Sequence, residues 1–116
     1  MKTLLIMIVA IPSLNLTLLG QTHSGNAANG RKLFEDYGCY QCHGREAQGG
    51  LGTGPRLGPK PIPFVAVQKY VRQPTGQMPP YTAKVVSDKD VADIYAFLQS
   101  VKPPPPPKDI PLLSNR

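Results

Sequence analysis

Cys39-Tyr40-Gln41-Cys42-His43 contains both cysteines of this 116-residue chain and one of its two histidines. The spacing C-x-x-C-H lets two thiols bond covalently to the edge of a haem while the adjacent imidazole reaches the iron. With both cysteines in one motif, a framework of disulfides is excluded. The motif therefore predicts one haem c, attached through Cys39 and Cys42, with His43 as an iron ligand.

Three other uses of such a motif are a structural cysteine pair, a dithiol redox switch and half of a zinc site. A zinc site needs four ligands, and the one Cys or His outside the motif is His23, close to the N-terminal segment. A thioredoxin-like switch follows a strand within a βαβ pattern, whereas the residues before Cys39 have the spacing of a helix. Haem attachment explains the motif better than these alternatives.

Residues 1–27 have the pattern of a secretory signal peptide. Lys2 precedes an apolar run over residues 3–10, and small residues follow further along. Pro12 and the polar residues near it disfavour a stable membrane span, although an uncleaved anchor is an alternative. We therefore expect an exported, periplasmic protein.

Cleavage after Gly20 or after Ala27 fits the small residues at the end of the leader. Either site leaves a cytochrome domain over residues 28–102 and a proline-rich tail over residues 103–116. About 90 residues are enough for one domain but too few for a generous apolar core. A buried haem would supplement that core.

The chain is moderately basic, with 13 Lys and Arg against 7 Asp and Glu and a net charge of +6. The basic residues are scattered and are not interleaved with aromatic residues that could stack on bases, which argues against a nucleic acid partner. A basic surface suits docking to an acidic face of another redox protein, because complementary charge speeds association. A solvated basic surface without a specific role is the alternative.

Apolar residues recur at helical spacing in three segments, which predicts a small all-α domain of three to four short helices around the haem. The segments are residues 28–37, 63–73 and 87–101. We expect Gly38 to end the first helix and Pro63 to take the first helical position of the second. Ser87 with Asp90 predicts a capping box at the start of the third.

The segments between the helices are rich in Gly and Pro and are expected to be loops. Residues 45–63 and 75–83 are the two long ones. The prolines at 103–107 predict a stiff polyproline II segment. It could be a spacer or a ligand for a partner, or it could seal the C-terminus against the domain, which is the reading we favour.

Met78 is the only methionine outside the leader, and it lies in the sequence Gly76-Gln77-Met78-Pro79-Pro80-Tyr81. A thioether as the sixth iron ligand raises the reduction potential relative to two histidines and closes the iron to small molecules. The prolines that follow restrict the backbone and would help to hold a weak Fe–S bond. A lone Met is ordinarily core filler, but the haem motif upstream favours Met78 as a ligand.

The chain resembles class I c-type cytochromes over nearly all of the expected mature sequence. Gly30 and Phe34 match the positions at which the family packs its first helix against its last. The contacting positions on the last helix are Ile94, Phe97 and Leu98. The resemblance also covers Gly54-Pro55-Arg56-Leu57. It implies that the Pro55 carbonyl accepts a hydrogen bond from the ring of His43 and that Leu57 lines the haem.

The family's propionate-binding residues do not carry over to this sequence. Tyr70, Arg72 and Tyr81 are candidates for that role, and ordinary packing is an equal alternative.

By this resemblance the protein is a periplasmic monohaem electron carrier between redox proteins, such as a dehydrogenase donor and an oxidase or cytochrome acceptor. It would not be an enzyme itself. The loop around Met78 and the proline-rich ending also look like those of cytochrome subunits that accept electrons within periplasmic dehydrogenases, which is the alternative. A haem enzyme or gas sensor with an open iron is a third reading.

Overall fold

The computed structural model describes residues 24–114, so most of the predicted leader lies outside the described residues. Within them the chain forms five α-helices and one 3-10 turn, and no strand. The helices are α1 (Ala27–Asp36), α2 (Tyr40–His43), α3 (Phe64–Arg72), α4 (Asp88–Ser100) and α5 (Pro111–Ser114), with the 3-10 turn at Pro107–Asp109. This confirms the prediction of a small all-α fold.

Helix α1 has a polar start and a glycine just after its end. The Asn26 side chain accepts a hydrogen bond from the Asn29 backbone N–H, which caps the free amides of the first turn. Gly38 follows the helix with φ of +76°, a left-handed conformation that favours glycine. The chain therefore turns sharply there and enters the C-x-x-C-H motif.

Helices α1 and α4 form the main contact of the fold, as the resemblance implied. Gly30 is buried against α4, where a Cβ atom would overlap the Asp93 carbonyl group and lie 2.8 Å from the Ile94 nitrogen. One turn further on, the rings of Phe34 and Phe97 pack with their centroids 5.4 Å apart. The absence of a side chain at Gly30 thus lets the two backbones approach closely.

A buried carboxylate joins α4 to the start of α1. Asp93 is 2% exposed and accepts hydrogen bonds from the Asn26 backbone N–H (2.7 Å), the Asn29 side chain (2.8 Å) and Lys89 (2.7 Å). These donors, Lys89 foremost, lower the pKa of Asp93 to about 2. The carboxylate therefore stays charged and links two segments that are far apart in sequence.

The ends of α3 and α4 follow the sequence signals closely. Ser87 and Asp90 form the predicted capping box, with each side chain bonded to the other's backbone N–H at 3.1 Å. Pro63 is the N-cap of α3 and lies just outside the helix, so its placement at the first helical position was wrong by one residue. Its missing N–H is harmless at either position, and this explains why the pattern does not separate them.

Two apolar clusters make up the core. The first contains Phe34, Ala47, Phe97, Leu98 and Val101. The second contains Phe64, Val86 and Val91, with Tyr95 packed edge-on against Phe64 at 5.4 Å. Ile94 packs against both clusters and joins them across α4.

In its described part, residues 103–113, the proline-rich tail is mostly exposed, which argues against the expectation that it seals the C-terminus against the domain. Residues 102–109 are exposed. Pro106 has φ of −61° and ψ of 149°, the geometry of polyproline II, before the chain enters the 3-10 turn and α5. Within residues 24–114, no helix is both long and apolar enough to cross a membrane.

Candidate haem site

The C-x-x-C-H motif lies at the end of the turn that follows α1. The Cys39 N–H donates to the carbonyl of Phe34 at 3.0 Å, and Cys39 is the N-cap of the short helix α2, which ends at His43. Cys39 is half-buried, Cys42 is exposed, and the two thiols are not joined in a disulfide. Both cysteines are therefore free to form thioether bonds.

The His43 ring is held in one tautomer by a backbone carbonyl. His43 is 9% exposed, and its Nδ1 lies 2.8 Å from the carbonyl oxygen of Pro55. A carbonyl oxygen can only accept, so Nδ1 must carry the proton. The lone pair is then on Nε2, the ring atom left to bind a metal.

The loop after α2 folds back over the motif and delivers Pro55 to the histidine. A Cβ atom at Gly54 would lie 2.9 Å from His43 Nδ1 and 2.9 Å from the carbonyl oxygen of Cys42. Only glycine fits this approach without displacing the ring or the loop. The Thr53 hydroxyl donates to the same Cys42 carbonyl at 2.9 Å and fastens the loop on its other side.

Ala47 secures the far end of the same loop. It is fully buried, and its carbonyl oxygen accepts from the N–H groups of Leu57 (2.9 Å) and Gly58 (3.2 Å). Leu57 is half-buried and packs against the first core cluster together with Cys39. Leu57 and the haem motif therefore share one apolar surface.

Met78 is half-buried in the loop between α3 and α4, here called the methionine loop (residues 75–81). The end of this loop lies beside the motif, because the Tyr81 hydroxyl donates to the Tyr37 carbonyl at 3.1 Å and is adjacent to the Cys39 thiol. Burial, and then the neighbouring Cys39, raise the pKa of Tyr81. Burial likewise raises the pKa of the free Cys39 thiol.

The three candidates for propionate binding all bond other protein groups. The Tyr70 hydroxyl lies 2.9 Å from the Thr75 hydroxyl. Arg72 donates to the carbonyl of Tyr81 at 2.8 Å and to Asp88 at 2.7 Å. These contacts favour the reading in which the three residues hold the protein together.

The residues present fit a haem attached at this motif. Two free thiols lie on one turn of helix, a histidine follows with Nε2 as its free nitrogen, and the first core cluster packs against Cys39 and Tyr40. Zinc does not fit: across the described part of the chain, no three His, Cys, Asp or Glu side chains converge as a metal site would require.

Two contacts at this site cannot be predicted from the sequence motif. The bridge from Arg72 to the Tyr81 carbonyl and to Asp88 has no spacing signature, because it joins the end of α3 to a loop and to the start of α4. The bond of Thr53 to the Cys42 carbonyl is equally without a pattern. A Thr among loop glycines was its only signal.

Comparison with known proteins agrees with this geometry. Residues 25–98 match the family model described as cytochrome C oxidase, cbb3-type, subunit III. The chain is also similar to the cytochrome c subunit of 4-cresol dehydrogenase [hydroxylating] from Pseudomonas putida, with 27% identity over 103 residues, which cover 89% of this chain and 88% of that protein. No solved structure matches the chain.

Proposed function

We propose that this chain passes single electrons between redox proteins outside the cytoplasm. The premise is its family: the chain belongs to the family of cbb3-type cytochrome c oxidase subunit III and is a monohaem c-type cytochrome. Its haem c is bound covalently through Cys39 and Cys42. We further propose that the chain itself catalyses no reaction of a substrate. The observation that carries the proposal is the C-x-x-C-H motif with its histidine oriented by the Pro55 carbonyl at 2.8 Å.

His43 and Met78 are the proposed axial ligands. When bound, haem supplies the one-electron couple of its iron. The Pro55 carbonyl orients His43 and increases the electron donation of Nε2. Met78 is itself half-buried in a mostly exposed loop, and the end of that loop lies beside Cys39, so that its thioether could serve as the second iron ligand. With both His43 and Met78 bound, the iron would have no position left for a substrate, as an electron carrier requires.

Replacing the proposed thioether tests this ligand set. In Met78→His the reduction potential should fall, because imidazole stabilises ferric iron more than a thioether does. Gln77→His is the matched control, since it places the same side chain one residue away at an exposed position. An unchanged potential in Met78→His, or an equal fall in both variants, would remove Met78 from the ligand set.

Export is the second part of the proposal. The pattern of residues 1–27 supports a leader, with residues 28–102 as the cytochrome domain and residues 103–116 as a tail. Intact mass of the haem protein recovered from periplasm should correspond to a start at Gln21 or Ala28. A mass that includes Met1 would mean that the leader is retained.

The charge distribution supports an acidic partner. Residues 47–87 contain five basic residues and no acidic one. Of these, Arg72 is paired with Asp88, whereas Arg56, Lys60, Lys69 and Lys84 are exposed and form no ion pair within residues 24–114. This segment also contains Pro55 and Met78, so the positive charge lies in the part of the chain proposed to surround the haem. Complementary charge would then speed docking.

Small charged redox reagents can measure the electrostatic effect of these basic residues even though the protein partner is not identified. Electron transfer to hexacyanoferrate(III), an anion, should slow as salt is added, whereas transfer to a cationic cobalt(III) complex should quicken. Lys69→Glu should weaken the response to hexacyanoferrate more than Lys102→Glu, which lies outside the acid-free segment. Equal effects of the two variants would mean that only the net charge matters.

A second candidate is a dedicated subunit of a dehydrogenase. It is favoured by the similarity over nearly the full length of both chains to the cytochrome c subunit of 4-cresol dehydrogenase [hydroxylating]. The electron chemistry would be the same, but within a stable complex. Purification from the native cell distinguishes the two: a larger subunit that co-elutes in fixed ratio supports the complex, and a single small haem protein supports the mobile carrier.

A further inference from the structure

The methionine loop is attached to α3 at both of its ends. At the first end, the Tyr70 hydroxyl meets the Thr75 hydroxyl at 2.9 Å on an exposed surface. At the second end, Tyr81 donates its N–H to the Val71 carbonyl at 2.8 Å and accepts at its own carbonyl from Arg72, also at 2.8 Å. The second end therefore has a paired backbone contact, and one of its two bonds comes from a charged donor.

Tyr81 is the first point after Met78 at which a backbone N–H can anchor the chain. Pro79 and Pro80 have no N–H to donate, and each fixes its own φ. Restraint applied at Tyr81 is consequently transmitted through two stiff residues to Met78. This is why the bonds of Tyr81 decide the position of a residue three places earlier.

Arg72 holds this anchor with its guanidinium fork. One nitrogen donates to the Tyr81 carbonyl, and another donates to Asp88 at 2.7 Å in the first turn of α4. The Arg72 side chain is 19% exposed, whereas Asp88 is 67% exposed. The bond to the carbonyl is therefore the better shielded of the two, and a charged donor makes it stronger than a bond between neutral groups.

We propose that Arg72 is a positioning residue which, through the Tyr81 carbonyl, keeps the methionine loop closed and Met78 on the iron. The inference rests on Met78 as the proposed ligand. Without Arg72, Tyr81 keeps its bonds to Val71 and Tyr37, but the loop opens more often. Each opening exposes ferric iron to an external ligand.

Binding of imidazole to the ferric holoprotein measures this opening. Imidazole must displace the methionine, so its apparent affinity is its intrinsic affinity multiplied by the fraction of open loop. Arg72→Met keeps the length of the side chain but loses its donors. We expect about tenfold tighter imidazole binding in this variant, the effect of losing one charge-assisted hydrogen bond. The Tyr81 amide should also exchange its hydrogen about tenfold faster.

Asp88→Asn is the matched control. It removes the ion pair of Arg72 but leaves the guanidinium free to bond the Tyr81 carbonyl. Because Asp88 is mostly exposed, imidazole affinity should change less than about threefold. If Arg72→Met does not mature with haem, Arg72→Lys serves, since a single ammonium cannot reproduce the fork and the same direction of change is expected.

The outcomes separate the two proposals. Tighter imidazole binding and faster Tyr81 exchange in the Arg72 variant, with little change in Asp88→Asn, support the positioning role. If the wild-type iron has a methionine ligand and imidazole binding is unchanged in Arg72→Met, the positioning role of Arg72 is wrong while Met78 remains the ligand. Wild-type ferric protein without a methionine-to-iron charge-transfer band would instead overturn Met78 as the ligand.

Discussion

The close contact of α1 and α4 at Gly30 makes a strong prediction about stability. Gly30→Ala adds one methyl group where a Cβ atom would overlap the Asp93 carbonyl and lie 2.8 Å from the Ile94 nitrogen. Carbon atoms normally stay about 3.5 Å or more from such neighbours, so the helices must separate by roughly one to two ångström. That shift also loosens the contact of Phe34 with Phe97 and the bonds of Asp93 to the start of α1.

The expected cost follows from two opposing effects. Overpacking of this kind costs about 1 to 3 kcal/mol, and lost hydrogen bonds of a charged, buried group add about 1 to 2 kcal/mol. Alanine in place of a helical glycine returns about 1 kcal/mol. The net destabilisation should be about 1 to 4 kcal/mol, a fall in Tm of roughly 5 to 30 °C for a domain of this size.

Denaturation of the holoprotein by guanidinium, followed by circular dichroism, measures this difference. Ala28→Gly is the control, because residue 28 is exposed on the same helix and reports helix propensity alone. It should lose no more than about 1 kcal/mol, since residue 28 lies in the first turn of α1. If Gly30→Ala is as stable as the wild type, or gains the 1 kcal/mol that propensity predicts, the close approach of the helices does not exist in solution.

Three further changes test other contacts. Asp93→Asn should destabilise the protein by about 1 to 2 kcal/mol at neutral pH; the upper value follows from the pKa shift to about 2, and the lower allows for the solvent around Lys89. Because the pKa of Asp93 is depressed in the folded state, the difference in unfolding free energy between variant and wild type should disappear as the pH falls from about 4 to 2. Unfolding measured at stepped pH tests this, and a difference that stays constant with pH would contradict it. Ser87→Ala should cost about 1 kcal/mol in the same denaturation assay through loss of the α4 cap, and an unchanged midpoint would contradict it. Gly54→Ala should raise the reduction potential measured by voltammetry, because its Cβ disturbs the bond from the His43 ring that strengthens donation to iron. Leu51→Ala, at a fully exposed position of the same loop, should leave the potential unchanged, and an equal shift in both variants would contradict this prediction.

The helices could be predicted from the sequence because their signals are local. The capping box of Ser87 with Asp90 and the stop at Gly38 depend on residues within one turn of each other, and both are present. The error of one residue at Pro63 arose because proline suits the N-cap and the first turn alike. Short-range chemistry thus fixed α1, α3 and α4 to within a residue, whereas the short helices α2 and α5 were not predicted.

Contacts between distant segments could not be predicted in this way. Asp93 lies within the apolar stripe of α4, and helical periodicity gives it only Lys89, four residues earlier, as a partner; its other two donors, Asn26 and Asn29, are more than 60 residues earlier. The bridge through Arg72 and the exposed course of the tail depend equally on the assembled fold. The pairing of His43 with Pro55 followed from family resemblance, since no local rule joins residues twelve apart across a glycine-rich loop.

We propose for this protein a closed, six-coordinate haem that carries electrons and binds no substrate. It is tested most directly by the absorption spectrum of protein matured with haem in a periplasm, oxidised and then reduced, with and without carbon monoxide. A closed haem with a methionine ligand should give low-spin spectra, a charge-transfer band from methionine sulfur to ferric iron, and no change on addition of carbon monoxide. A high-spin ferric spectrum with ready carbon monoxide binding would contradict it and would indicate a catalytic or sensing haem.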